Sequence, residues 1–202
     1  MSSNRARIEA LASQILLHKK LYYSGKSVIP DSTYDAMEDE LRTLDAKHPV
    51  LDFVGYALGK NAKKVAHEPP MLSLAKTYDV EELNTFLNKQ ICVQTDKFDG
   101  MALSIEFDSS GKLFRASTRG NGKLGEDVTE HVFHVADIPK SVVLPQAKFH
   151  SVEMRGEVYF PISAFENFKE QFDSYRNAVP GTFGRKEVEL AAPVLRVLKF
   201  CV

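Results

Sequence analysis

The chain has 202 residues, of which 44% are hydrophobic and 26% charged; this suits one ordinary domain, or one with a small appendage, and excludes global disorder. The formal net charge is −1, so no strong overall field selects nucleic acid or an anionic membrane and only a local basic patch is left to do so. Two distant cysteines, Cys92 and Cys201, give neither a disulfide framework nor a thiolate zinc cluster and fit a reducing cytoplasm; the opening MSSNRARIEALASQ has no apolar signal core, and no run is long enough to span a bilayer.

The first third reads as helical. Ile8, Leu11, Ile15 and Tyr22 fall near one face, with His18 on the same line. SGKSVIPDS interrupts the pattern. Asp31 reads as an N-cap after Pro30, Tyr34, Met37, Leu41 and Leu44 follow at steps of three and four, and Pro49 is expected to end that helix. Two helices joined by a turn form an antiparallel hairpin. Residues 52–70, with Gly55, Gly59 and three lysines before HEPP, read as a linker.

The character changes after Pro70. DVEELNTFLN predicts a short helix with an Asp79-x-x-Glu82 capping box. Strand-like runs follow at 91–96, 101–107, 113–118 and 152–160, and DSSG joins the second to the third as a hairpin loop. SAFENFKEQF reads as one more helix, boxed by Ser163 and Glu166. The mixture predicts an α+β fold with a mostly antiparallel sheet.

Chemistry concentrates in four stretches. DKFDGMALSIEF sets Lys97 before Asp99 and Gly100, at the mouth of an alternating run. An ordinary lysine, with a pKa of about 10.4, is protonated near neutrality. Nucleophilic use needs burial or nearby cations to release the amine, and Asp99 works against that release. Taken by itself, the tetrapeptide reads more readily as a surface ion pair. STRGNGKLGEDVTEHV adds Arg119, Gly120, Gly122, Gly125 and the acids Glu126 and Asp127. Such glycines can bring backbone N–H groups close to a ligand, and an arginine offers a fork for phosphate or ribose oxygens; a plain glycine-rich hairpin loop is the alternative. MRGEVYFP puts Glu157 on the strand face opposite Val158, where a carboxylate can accept ribose hydroxyls or merely meet solvent. SYRNAVPG adds Arg176.

In this order, K-x-D-G, T-R-G-x-G-x-x-G-E-D-V-T, R-G-E-V-Y and R-N-A-x-x-G resemble the adenylation domain of bacterial NAD-dependent DNA ligases. PMLSLAKTY (70–78) resembles the segment just before that domain. YY at 22–23, IPDSTYD at 29–35 and DELRTLDAKHP at 39–49 resemble the family's small helical domain. The resemblance covers nearly the whole chain. It implies a helical NAD-recognition domain over 1–60 and, over 61–202, a partial nucleotidyltransferase domain of the ATP-grasp-like ligase kind.

By the same resemblance Lys97 attacks the α-phosphate of NAD, releases nicotinamide mononucleotide and becomes lysyl-AMP, with Mg²⁺ assisting. Asp99 and Gly100 complete its motif. Arg119 and Glu157 match positions near the ribose and α-phosphate, Ser73 and Leu74 the lining of the adenine, and Arg176 an arginine implicated in activity. Tyr22, Asp31, Tyr34 and Asp35 match residues that grip the nicotinamide mononucleotide half; from the residues themselves, Tyr34 also reads as packing and Asp31 as a cap. Four features depart from the family: Thr95 for a glutamate, Asn121 for an aspartate, a shorter loop between Tyr23 and Pro30, and Gly184 with Arg185 where an arginine stands one place earlier. The chain ends at LRVLKFCV, before the family's D-G-x-V-x-K and its OB-fold, zinc-finger, helix-hairpin-helix and BRCT parts. The partner implied is nicked duplex DNA, bound weakly by this chain alone. Two other readings stay open: a degenerate ligase-like protein that binds NAD or adenylate without sealing DNA, and a non-catalytic interaction module.

Overall fold

A computed structural model describes residues 2–23, 28–51, 63–73, 77–144, 150–172 and 174–202, with only the backbone described at Ser2, Ser3, Tyr23 and Arg176. Helices α1 (Ser2–Tyr23) and α2 (Asp31–Leu44) form a hairpin with its own apolar cluster. Leu11 and Ile15, one helical turn apart, are buried against Leu41 and Val50, and Ile8, Tyr34, Met37 and Leu44 pack around them. Arg7 grips Glu40 through two contacts of 2.6 Å across the pair. The N-cap of α2 is Pro30, not Asp31: the Pro30 carbonyl accepts from the N–H groups of Thr33 and Tyr34. Asp31 sits instead in the first turn, where the helix dipole favours an acid. The helix also ends before Pro49, at Asp45, whose φ of −154° leaves the helical region.

The second part begins within the stretch that reads as linker. Residues 52–62 lie outside the described residues, but β1 (Lys64–Ala66) is a strand with Val65 buried, paired antiparallel with β4 (Leu124–Glu126). Helix α3 (Val80–Leu87) is capped by Asp79, whose carboxylate accepts from Glu81 and Glu82 N–H. The reciprocal half of the box differs, since Glu82 accepts from the Thr77 hydroxyl, and that hydroxyl also accepts from Asp79 N–H.

Strands β2 (Met101–Asp108), β3 (Leu113–Thr118), β5 (Ser151–Tyr159) and β6 (Lys199–Cys201) form an antiparallel sheet in the order β3-β2-β5-β6. Asp108 closes the β2–β3 loop by accepting from the N–H groups of Ser110 and Lys112, and Gly111 takes the positive φ of 79° the turn needs. Alternation gives this sheet two unlike faces. Leu103, Ile105, Phe107, Ala116 and Val158 are buried in one core with residues of α4 (Thr129–His134), α6 (Tyr175–Phe183) and α7 (Val188–Leu195). The opposite face carries Ala102, Ser104 and Glu106 beside their register partners Glu157, Arg155 and Glu153 on β5, with Ser117 and Arg115 on β3. Among the described residues no helix is long and apolar enough to cross a membrane.

Two expected elements differ. Residues 91–96 are exposed and belong to no strand, because no described strand hydrogen-bonds to them. Of SAFENFKEQF, only α5 (Ile162–Phe165) is helical, followed by turns; Pro161 is its N-cap, which places Ser163 inside the first turn, where it cannot cap.

Candidate active site

The segment before β2 nears the sheet at Lys97. Its side chain is exposed, and the next residue is the first held firmly: the Phe98 ring stacks on Tyr159 of β5 with centroids 4.4 Å apart. Two residues on, Gly100 N–H donates to Glu157 Oε1 at 3.1 Å. A Cβ on Gly100 would lie 2.0 Å from the Val158 carbonyl oxygen, so only glycine lets the turn approach β5 this closely. Ala102 is the register partner of Glu157, and the Ala102 carbonyl accepts from Arg119 N–H at 3.2 Å. Arg119, Ala102 and Glu157 thus form one row across β3, β2 and β5, beside the turn that carries Lys97 and Asp99.

Electrostatics mark the same convergence. Burial pushes the Glu157 carboxyl above the usual carboxylate range; the Gly100 N–H and the positive charges of Arg119 and Lys97 pull it back, and Asp99 adds to the rise. One half-buried acid therefore feels Lys97, Asp99 and Arg119 together.

The glycine-rich turn divides by role. Gly120 and Gly122 have φ of 56° and 85°, the left-handed region that suits glycine. Asn121 Oδ1 accepts from the N–H groups of Lys123 at 3.1 Å and Leu124 at 2.8 Å; an aspartate oxygen would do the same, so the departure at Asn121 leaves the turn intact. Gly125 is a packing glycine, since a Cβ there would lie 1.8 Å from the Thr118 carbonyl oxygen. Asp127 accepts from Thr129 and pairs with Lys63 at 2.7 Å, a structural role at the start of α4.

The other expected residues are spread out. Ser73 is exposed; Leu74 lies outside the described residues. Arg176 lies on α6, its side chain outside the described set. Arg185, the arginine one place late, donates to the Leu190 carbonyl at 3.2 Å and lies over the Phe172 ring. Thr95 is exposed. In the hairpin, Asp31, Tyr34 and Asp35 share a face of α2, with the Tyr34 hydroxyl donating to Glu38 at 2.7 Å, and Tyr22 is half-buried near the end of α1. Arg155 escaped the sequence reading. The signal was period two, since it stands two residues before Glu157 and shares its face.

Among the described residues no group of three or more His, Cys, Asp or Glu could hold a metal ion. An all-protein magnesium cage does not fit the donor set of the described residues.

Residues 60–202 match the family model described as the NAD-dependent DNA ligase adenylation domain, and residues 1–54 the one described as the DNA ligase-like, N-terminal NAD+-binding domain. A DNA ligase of Fusobacterium nucleatum is 36% identical over 87% of this chain and 28% of its own length. One of Rhodopseudomonas palustris strain BisB5 is 33% identical over 99% of this chain and 31% of its own length. One of Shouchella clausii is 34% identical over 81% and 27%. The chain therefore spans only 27–31% of the length of these curated relatives. With the K-x-D-G turn, the R-G-E strand and the T-R-G loop brought together at one end of the sheet's strands, and with the family model covering that whole region, the chain belongs to the NAD-dependent DNA ligase family, represented by its N-terminal NAD+-binding and adenylation regions.

Proposed function

We propose that this chain carries out the first half-reaction of an NAD-dependent DNA ligase, transfer of adenylate from NAD to Lys97. The observation that supports it is the row Arg119–Ala102–Glu157, with Gly100 hydrogen-bonded to Glu157 and Lys97 at the head of the same turn. NAD is the substrate. The neutral Lys97 Nζ forms a bond to the α-phosphorus while the bridging P–O bond breaks. Nicotinamide mononucleotide leaves with that electron pair, and the amine proton passes to solvent. Arg119 offsets charge on the phosphate oxygens. Asp99 sits beside the nucleophile, and Glu157 holds the turn through Gly100 and offers its second oxygen to a ribose hydroxyl. Ser73, Leu74 and Arg176 complete the adenylate side, and Tyr22, Asp31, Tyr34 and Asp35 take the mononucleotide half. On this reading residues 1–60 and 61–202 are the two working units. In a whole ligase the adenylate then moves to the 5′-phosphate of a nick, which is sealed. At a net charge of −1, this chain by itself should bind nicked duplex weakly and lose it readily to salt.

One observation favours a second reading, a remnant that binds NAD without reacting: Arg185 is engaged by Leu190 and Phe172, away from the Lys97 turn's own contacts. Intact-protein mass spectrometry after long incubation with NAD and Mg²⁺ separates the two. A single AMP adduct on the wild type and none on Lys97→Ala supports the transferase. A wild type that binds NAD and stays unmodified is the remnant, and an adduct on Lys97→Ala means another nucleophile.

A further inference from the structure

We infer that Arg155 is a positioning residue for the adenylate: it fixes the strap of residues 67–71 across the polar face of the sheet and so sets where Ser73 stands relative to Glu157. The inference rests on the proposed function, which gives Ser73 to the adenine.

The strap is tied at two places. On the β3 side, His67 N–H donates to the Lys123 carbonyl at 2.9 Å and Met71 N–H to the Gly122 carbonyl at 2.8 Å. The buried His67 ring is 3.0 Å from the Thr118 carbonyl, one residue before Arg119. On the β5 side a single side chain does the work. Arg155 Nη1 donates to the Pro70 carbonyl at 3.1 Å, and Nη2 donates to the Pro69 carbonyl. The same guanidinium is braced from behind by Glu153, at 2.7 Å through Nε and 3.1 Å through Nη2, and Glu153 also accepts from the Ser104 hydroxyl. Burial works against the Glu153 charge, yet the bonds from Arg155 and Ser104, with His67 nearby, hold the carboxyl below the usual range.

Packing holds the strap only at its ends, at buried His67 and Met71, and cannot substitute for the Arg155 bonds between them. Glu68, Pro69 and Pro70 are exposed. A cavity of about 290 Å³ separates Ala66, His67 and Glu68 from Glu106, Arg115 and Glu153 on the sheet. The strap stands off the sheet, held by hydrogen bonds at its two sides. Two prolines give up their N–H groups but keep their carbonyls, which suits a planar fork that can hold two acceptors at once. Arg155 and Glu157 share one face of one strand. The strand that carries the turn's carboxylate thus also carries the anchor of the base segment, and a shift of β5 would move both together.

The test is the NAD-concentration dependence of self-adenylation, followed by mass spectrometry, for wild type, Arg155→Ala, Arg155→Lys and Glu153→Gln, each with its thermal melt. For folded Arg155→Ala, half-saturation should move to about tenfold higher NAD, equivalent to about 1.4 kcal/mol, while the limiting rate stays within about threefold. Arg155→Lys, which keeps the charge but not the fork, should recover only part of the loss, and Glu153→Gln should shift half-saturation in the same direction by less. If Arg155→Ala does not fold, those two variants decide by the same criterion. Unchanged half-saturation, or a fall in limiting rate alone, overturns the positioning role and leaves the transferase standing. A wild type that never takes up adenylate overturns the proposed function and this inference with it.

Discussion

The chain on the two sides of Lys97 is held in opposite ways. Before it, Ile91 and Val93 are 102% and 86% exposed, and no described strand pairs with residues 91–97. After it, Leu103, Ile105 and Phe107 are fully buried in a strand paired on both edges. The first is an apolar triplet, Ile91–Val93, followed by polar residues, whereas the second alternates apolar and polar residues. The difference shows that the position of Lys97 is set from its C-terminal side, by the Phe98–Tyr159 stack, by the Gly100–Glu157 bond and by β2, while the described residues on its N-terminal side contribute little.

Substitutions along the segment test that asymmetry. Ile105→Ala, in the core, should cost about 2–5 kcal/mol in urea unfolding; a cost near zero would mean that the sheet does not anchor the turn. Gly100→Ala must push β5 away from the turn to make room for its Cβ. The expected cost is about 1–3 kcal/mol, together with loss of the AMP adduct even in the folded fraction. An adduct at the wild-type rate would show that the close approach to Val158 does not matter for the chemistry.

Glu157→Gln probes the same contact through pH. The folded-state pKa of Glu157 lies above its ordinary value because of burial, so the folded chain holds that proton more tightly than the unfolded chain. The ionised carboxylate therefore costs stability above the folded pKa, and the cost disappears as pH falls toward the ordinary carboxylate value. Glutamine keeps an oxygen for Gly100 and loses the charge. The variant should melt above wild type at pH 8, with the gap closing in acid; a gap independent of pH would remove Glu157 as the titrating group. The smallest effect is expected before Lys97, where Val93→Ala should change stability by no more than about 0.5 kcal/mol. A larger loss would reveal a packing partner for residues 91–97.

Where the sequence pattern was legible, one element buried one face. Alternation located β2, β3 and β5 to within about a residue at either end, and steps of three and four located α2 and its buried Leu41. The order of four motifs was enough to recognise the family. The misreadings share a cause. Lys64–Ala66 is too short to show a period, and its strand exists because β4 lies beside it. Residues 91–96 open with β-prone apolar residues but no described strand pairs with them, because local composition reports what could be buried and not whether anything is there to bury it. Ser163 and Glu166 have the spacing of a capping box, but Pro161 starts the helix one turn position too early for it. Gly125 resembled a ligand-cradling glycine, and its reason is the Thr118 carbonyl.

The sequence by itself determined the residue types the chemistry needs and their spacing within each motif, because those are local properties: a lysine two places from an acid, glycines in a turn, an acid on the polar phase of a strand. Only the tertiary structure decided which motifs meet. Arg119, Ala102 and Glu157 share a row because β2 pairs with β5 in one register and the Arg119 N–H finds the Ala102 carbonyl; a one-residue slip of that register would turn Glu157 into the core and Val158 out of it. Arg155 reaches the carbonyls of Pro69 and Pro70 across 86 and 85 positions of chain, a distance that no spacing rule spans and that a single β-sheet face brings down to a hydrogen bond.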